Sequence, residues 1–392
     1  MNTAAEWHQE GKAKFFTDKA FYRPQSQVGR DLAILAAAIY KRQRGQLRVL
    51  DAMTGCGVRP LRYQLEAEAD WVWANEANPD HREVLEHNLE AGLRPRSYRI
   101  TYQDANQVFF ACYQQRDFYD LVDIDNFGSP APYASTGMWA TRLGGLLYLT
   151  STDGRSTGGH DPDHSLQTFG SFARSHPAVH EQGLRMLLGH AMQQATAKGF
   201  CIQPVFSLFN GQVHRVMVRL VMNGPEQATL TGFIGYCHVC GHFQTVGWRQ
   251  LGRVHCACPR AVATYIKPHP LVLSGPLWLG PLHDRAVLEQ METLAAEWGW
   301  SKRVKLLQIM QAESDMPPYY FPLGEIGRFG QMDIPRREAL IQALCDRNFR
   351  ATLTHLNWEA IKTNATMAEC IEVARSVQPS PTFKHNAKAE NS

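Results

Sequence analysis

The sequence predicts an α/β fold. The core is a doubly wound sheet, mostly parallel with its last strand antiparallel, and a smaller α+β domain follows it. Three observations carry this. Short apolar runs alternate with helix-period segments through the first half of the chain, the pattern of a parallel sheet with helices on both faces. That alternation closes on Asn210-Gly211, a hairpin signal between two strand-like runs. Beyond Asn223-Gly224-Pro225 the composition changes: Gln227 to His283 contains no Asp or Glu, while Arg249, Arg253, Arg260 and Lys267 contribute +4.

Taken in order, Leu47 to Asp51 is the first strand, ending at the Gly turn Thr54-Gly55-Cys56-Gly57. A helix follows, with Val58, Leu61 and Leu65 on one side. Trp71 to Glu76 is the second strand. Asn78-Pro79-Asp80 opens a helix, with Asp80 and Glu83 at capping-box spacing. Ser97 to Tyr102 is the third strand, Tyr119 to Asp125 the fourth and Leu143 to Thr150 the fifth. Glu181 to Ala197 is helical, and Ile202 to Phe209 and Val213 to Val221 form the closing hairpin. Asp284 to Glu372 reads as mostly helical, with a break at Pro317 to Pro322. The expected divisions are 1–224, a cofactor-binding domain with an N-terminal extension; 225–377, a C-terminal domain with a cysteine cluster; and 378–392, a frayed polar tail.

The chain has 392 residues, 44% of them hydrophobic, which suits a packed core and exceeds a usual single domain. Lys+Arg 40 against Asp+Glu 37 leaves +3, which announces no partner by itself. The longest clean apolar run, Leu32 to Tyr40, falls far short of the ~20 residues of a membrane span. The N-terminus lacks a signal pattern, so a cytoplasmic location is expected, with no membrane and no obligate protein partner indicated.

In an open parallel sheet, ligands bind beyond the carboxyl ends of the strands. Asp51, Glu76, Asp104 and Asp125 fall at or just past four such ends. Gly55 and Gly57 let the backbone approach a ligand. Pro60 stands where a dinucleotide fingerprint needs its third Gly, which argues against a nicotinamide enzyme. Glu76 is placed to accept from ribose hydroxyls and Asp104 from an adenine amine. Those roles suit an adenosine cofactor without pyrophosphate, S-adenosylmethionine, and the strand pattern is the outline of the methyltransferases that use it. The plainer reading of each carboxylate alone is a helix cap.

Asp123-Ile124-Asp125-Asn126-Phe127-Gly128-Ser129-Pro130 closes the fourth strand. A carboxylate beside an aromatic suits transfer to an exocyclic amine: the carboxylate accepts the N–H and localises the lone pair, and the ring stacks the base. The alternative is that Phe127 packs in the core and the string is only a turn.

At this point the chain resembles a known family, the tRNA (guanine-N2)-dimethyltransferases acting at guanine 26. The likeness runs from Glu10 to Ala365. It rests on Phe21-Tyr22-Arg23-Pro24 with Gly29-Arg30-Asp31-Leu32, Thr54 to Tyr63, Ala74-Asn75-Glu76-Ala77-Asn78-Pro79, Asp104-Ala105-Asn106 and Asp123 to Pro130. Thr150-Ser151-Thr152-Asp153, His180-Glu181, Gly275 to Pro281 and Ile361-Lys362-Thr363 extend it. The resemblance implies that Arg30, Arg59, Glu76, Asp104 and Ala105 contact S-adenosylmethionine, Arg30 through its carboxylate. It makes Asp125 the catalytic carboxylate and Phe127 the stacking residue. Two positions depart from the pattern: Asn126 replaces the usual Pro, adding an amide that can touch the guanine, and Glu76 stands where Asp is usual.

Cys237-x2-Cys240, 15 residues, then Cys256-x-Cys258 is close to a four-thiolate zinc knuckle. Because the second pair is one residue tight, His255 is the alternative to Cys256, and an empty degenerate site is a further one. With its basic surroundings and Trp248, Tyr265 and Phe243, the segment reads as a clamp on a phosphate backbone, tRNA by the resemblance. The basic stretch Lys12 to Arg44 is expected to share the RNA. Two other functions stay open: a non-catalytic zinc-containing RNA-binding protein with a relic pocket, and an amine methyltransferase acting on rRNA or DNA.

Overall fold

The structure is a computed structural model, and it describes residues 6–18, 20–222, 227–256, 258 and 269–377. The expected boundary at Gly224 and the tail 378–392 lie outside those residues, as do Arg260, Tyr265 and Lys267.

Seven strands form the main sheet: β1 (Arg48–Asp51), β2 (Trp71–Asn75), β3 (Tyr98–Thr101), β4 (Tyr119–Ile124), β5 (Thr141–Ser151), β6 (Cys201–Asn210) and β7 (Val213–Val221). Their order is β3-β2-β1-β4-β5-β7-β6. The first five run parallel, while β7 lies between β5 and β6 and is antiparallel to both. Chain order reverses between β1 and β4, so the crevice opens where the loops after those two strands diverge.

The apolar run Leu32 to Tyr40 lies inside α1 (Gln27–Arg44) and is buried throughout. It is apolar all round because the helix packs against both the sheet and the helix Arg285–Glu297. Among the described residues no helix is long and apolar enough to cross a membrane. The other helices framing the crevice are α2 (Val58–Leu65), α3 (Arg82–Gly92) and α4 (Ala105–Gln115).

Three local expectations need correction. The helix after Asn78 starts with a 3-10 turn, Pro79–His81, capped by the Asn78 side chain on the Asp80 N–H; α3 itself has no side-chain cap, so no Asp80/Glu83 capping box forms. The hairpin turns one residue later than Asn210-Gly211: Asn210 pairs with Val213, and Gly211 and Gln212 hold the positive φ angles of 54° and 73°. The C-terminal helices also carry a small antiparallel sheet, Phe321–Pro322, Ala360–Thr363 and Ala351–Leu353, whose strands are too short for periodicity to show.

A buried ion cluster joins this small sheet to the helix Val179–Thr196 and to the segment Trp278 to Gly280. Lys362 Nζ donates to Glu181 Oε1 at 2.7 Å, and Arg185 donates to the same oxygen at 2.8 and 3.0 Å. Arg185 Nη1 also reaches the carbonyls of Trp278 and Gly280. Nearby, Glu313 lies between His283 and His355, all three buried. The Ser207 N–H donates to His283 Nδ1, which leaves the proton of the neutral ring on Nε2, facing Glu313. That tautomer leaves His283 no free lone pair for a metal; His355 Nδ1 hydrogen-bonds Glu313, while His283 Nε2 stands 3.6 Å from it without a hydrogen-bond partner.

Burial holds His214 down at about 3, and His176 and His283 at about 4. A folded pKa below the unfolded value gives stability that is full above ~6.5 and lost as pH falls through the folded pKa. The thermal midpoint is therefore expected to fall steadily from pH 7 to pH 4. A midpoint unchanged down to pH 5 would show that these rings are not buried in neutral form.

Candidate active site at the carboxyl edge of the sheet

The crevice holds a cavity of about 610 Å³ walled by the loops after β1, β2, β4 and β5, the start of α4, and the segment Phe21 to Arg30. Glu76, Asp104, Ala105, Asp125, Asn126, Phe127, Gly55, Arg30 and Arg59 all line it. Asp51 and Gly57 stand behind the wall. Gly57, at φ 84°, opens α2, and a Cβ there would lie 2.9 Å from Leu89 of α3, so its bareness serves helix packing.

Glu76 follows β2 and stitches two loops together. Its Oε2 accepts from the Gly55 N–H and its Oε1 from the Asn78 N–H, each at 2.8 Å. One lone pair on each oxygen remains for a ligand's hydroxyls. Asp104 is exposed and caps α4 through Oδ1, leaving Oδ2 free. Capping and ligand binding are thus compatible there.

Beneath them three carboxylates surround one guanidinium. Arg59 Nη1 pairs with Asp123 at 2.6 Å and Nη2 with Asp125, while Tyr63 donates to Asp123 at 2.7 Å. Burial, then the neighbouring Asp123, pushes the Asp51 carboxyl well above its usual range; neither of its oxygens has a hydrogen-bond partner. One positive charge cannot balance three negative ones, so a proton on Asp51 is the cheapest relief. Burial acts upward on Asp125 as well, but Arg59 and Arg215 outweigh it and hold that carboxyl below the usual range. Asp125 remains about a quarter exposed, toward the cavity.

Phe127 is 73% exposed, so the core alternative for this ring does not hold. The edge-to-face partner at 5.0 Å is Phe21, itself exposed, and together they form an aromatic wall at the mouth. Asn126 is buried; its Nδ2 bonds the Phe127 carbonyl and its Oδ1 is unpartnered.

Arg30 is buried and donates to Glu10 through Nε at 2.7 Å and through Nη2. Glu10 comes from the N-terminal hairpin Trp7–Glu10 and Ala13–Phe16, which the sequence reading did not find. The same carboxylate takes Arg62 Nη1 at 2.8 Å and Tyr22 OH at 2.9 Å. Arg215 and Thr150 also line the cavity and were missed; each reads as an ordinary strand residue until β5 and β7 are paired, Thr150 opposite Arg215.

A family model described as N2,N2-dimethylguanosine tRNA methyltransferase matches residues 4–375. The chain belongs to this family. It is 29% identical over 366 residues to a tRNA (guanine(26)-N(2))-dimethyltransferase of Methanocaldococcus jannaschii, covering 91% of this chain and 92% of the relative. A relative of the same description from Pyrococcus abyssi is 25% identical over 397 residues, covering 94% and 98%. Among solved structures, the complex of Trm1 from Pyrococcus horikoshii with S-adenosyl-L-methionine matches with a TM-score of 0.81 and 26% identity, over 94% of this chain and 99% of that one. The chain is therefore an S-adenosylmethionine-dependent methyltransferase of the tRNA (guanine-N2) family.

In the C-terminal half, the Sγ atoms of Cys237, Cys240, Cys256 and Cys258 lie within 4.8 Å of one another. Cys240 and Cys256 are 3.5 Å apart, too far for a disulfide. The spacing is close to the ~3.8 Å edge of a tetrahedron of thiolates ~2.3 Å from a zinc ion. His255 is exposed and outside the group. Of the expected RNA-facing residues, Trp248 is exposed, as are Arg249 and Arg253, whereas Phe243 is buried and stacks on Tyr319. Three residues of the N-terminal basic stretch are taken up in ion pairs: Arg30 by Glu10, Lys41 by Asp70 and Arg42 by Glu297.

Proposed function

We propose that this chain, acting in the cytoplasm, transfers one and then a second methyl group from S-adenosylmethionine to the exocyclic N2 of guanine 26 in tRNA. Position 27 is a further candidate. The observation that carries the reading is an ionised, cavity-facing Asp125 beside an exposed Phe127, at the switch point of the sheet. S-adenosylmethionine, when bound, supplies a methyl group on a positively charged sulfur. Glu76 accepts from the ribose hydroxyls and Asp104 from the adenine amine, with Ala105 against the ring and Gly55 near the backbone path. Arg30 and Arg59 face the amino-acid end. Asp51 and Gly57 act from behind, setting the charge and the shape of the loop.

Guanine N2 is a poor nucleophile because its lone pair is shared with the ring. Asp125 accepts one N2–H and localises that pair, while Phe127 and Phe21 hold the base in line. A depressed pKa suits this carboxylate. The nitrogen becomes strongly acidic once methylated, so a weak base suffices to take its proton, and the carboxylate is ionised whenever substrate arrives. The second transfer needs room for the first methyl at the cavity mouth.

The test is incubation of unmodified tRNA with methyl-labelled cofactor, followed by digestion to nucleosides. N2-methyl- and N2,N2-dimethylguanosine are expected; label confined to another base, or transferred equally to DNA or rRNA, would sink the assignment. Protein that binds the cofactor without turnover would point to the RNA-binding alternative.

The four cysteines supply a closed donor set with no open position, so a structural zinc is the reading their spacing supports. The domain beyond residue 224 then presents Trp248, Arg249 and Arg253 to the tRNA backbone. Purified protein is expected to carry about one zinc per chain. Cys256→Ser should release it and weaken tRNA binding while leaving cofactor affinity intact; metal-free wild-type protein with full activity would remove the zinc.

A further inference from the structure

Arg215 is a buried cation whose charge acts on Asp125 from a distance but which makes no ion pair among the described residues. Only 2% of the residue is exposed. Its Nη2 donates to Ser26 Oγ at 3.1 Å, while Nε and Nη1 have no hydrogen-bond partner. Among the described residues no carboxylate lies within ion-pair distance of it. The side chain is nonetheless held firmly, lying across Gly29 of α1, where a Cβ would come within 2.7 Å of its Cδ and Nε. Burying an unpaired guanidinium is costly, and a ligand that completes the site would offset that cost.

Its place in the sheet says which ligand. Arg215 stands on β7 opposite Thr150 of β5, two strands beyond β4 and on the far side of Asp125 from Glu76 and Asp104. At ~4.8 Å per strand, its backbone lies ~14 Å from β1, where the Gly turn begins. That is the substrate side of the cavity. The wall there carries acceptors on Asp125 and Asn126 and donors on Arg215; Asn126 Oδ1 and Arg215 Nε and Nη1 are buried in it and unpartnered. The Watson–Crick edge of guanine is the complement: donors at N2 and N1, then an acceptor at O6. Adenine presents a donor at N6 and an acceptor at N1, and leaves these donors and acceptors unmatched.

We infer that Arg215 donates to O6 of the target guanine and, with Asn126 accepting from N1–H, makes the site specific for that base. This rests on the reading that guanine N2 is the methylated atom.

The test compares tRNA carrying guanine at the target position with tRNA carrying 2-aminopurine there, which keeps the N2 amine but lacks O6 and the N1 proton. kcat/KM is measured for each with wild type, Arg215→Met and Arg215→Lys, binding of the fluorescent 2-aminopurine tRNA is read in parallel, and calorimetry gives the cofactor Kd. Arg215→Met is expected to lower kcat/KM on guanine by roughly 10- to 100-fold. It should change 2-aminopurine turnover and binding little, so the preference for guanine collapses, and Arg215→Lys should restore part of it. The cofactor Kd should hold within about threefold. Equal losses on both tRNAs would overturn the inference in favour of a structural role or a field effect on Asp125. A weakened cofactor Kd with the preference intact would place Arg215 at the cofactor's carboxylate instead. If the variants do not fold, wild-type enzyme that fails to prefer guanine overturns the inference on its own. Absence of any N2-methylated product with wild type would be a failure of the proposed function, seen before a variant is made.

Discussion

Asp125→Ala should lower methyl transfer by at least roughly 10³-fold while the affinity for S-adenosylmethionine stays within a few-fold. The two effects separate because Asp125 stands at the end of β4, whereas Glu76 and Asp104 lie on the other side of the switch point. The substitution leaves Arg59 paired with Asp123, so the guanidinium keeps one buried partner and the loop keeps its anchor. Asp125→Asn preserves shape and removes charge, and should be nearly as severe if the carboxylate accepts the proton. The Arg59 and Arg215 charges that hold this carboxyl low also set the pH profile. Ionisation of Asp125 should put no inflection in kcat/KM above about pH 5. An Asp125→Ala enzyme with normal single-turnover rates would end the catalytic assignment, and an inflection between pH 6 and 7 abolished by Asp125→Asn would end the claim that Arg59 keeps it ionised.

Asp125 was legible in the sequence because the features that mark it are local: a fourth apolar run, period-2 placement of Asp123 and Asp125, and an aromatic two residues on. Glu76 and Asp104 share that property, since a strand end followed by a helix start is written in a few consecutive residues. The cysteine cluster is legible for the same reason, four donors within a short span. What the sequence hides is set by pairing at a distance. Arg215 becomes a site residue only because β7 inserts between β5 and β6, an order that strand patterns do not specify. Glu10 lies in a four-residue strand with one buried position, too short for any period to register. Phe21 faces Phe127 across more than a hundred residues, and nothing in either segment points to the other. Arg59 shows a different limit. The resemblance placed it at the cofactor, and it does line the cavity, yet its two closest partners are Asp123 and Asp125, so its first task is to hold the carboxylate proposed as catalytic.

The largest stability effect is expected at Arg62, a residue that does not line the cavity. It is fully buried and binds three carboxylates: Glu66 through Nε at 2.8 Å and Nη2 at 2.9 Å, and Glu10 at 2.8 Å and Asp31 at 2.6 Å through Nη1. Those acids come from α1, the end of α2 and the N-terminal hairpin, and Arg303 adds a second contact to Asp31 from the C-terminal helices. Glu10 is kept below its usual range against its burial by Arg30 and Arg62. Arg62→Ala would leave three buried carboxylates sharing Arg30 and Arg303, and removing one partner of a buried pair costs ~3–5 kcal/mol. A comparable loss is expected in chemical denaturation at neutral pH. It should shrink in acid, because protonated carboxyls no longer need the guanidinium; a penalty that stayed constant down to pH 4 would mean that packing, not charge, is what Arg62 supplies. The change should also reach the active site. Glu10 is the acid that positions Arg30, and without Arg62 it is free to draw Arg30 away from the cavity wall. Cofactor affinity should therefore weaken in Arg62→Ala at temperatures where the fold persists, whereas Arg62→Lys, which keeps the charge but loses the fork that spans Glu66, should recover binding more fully than stability.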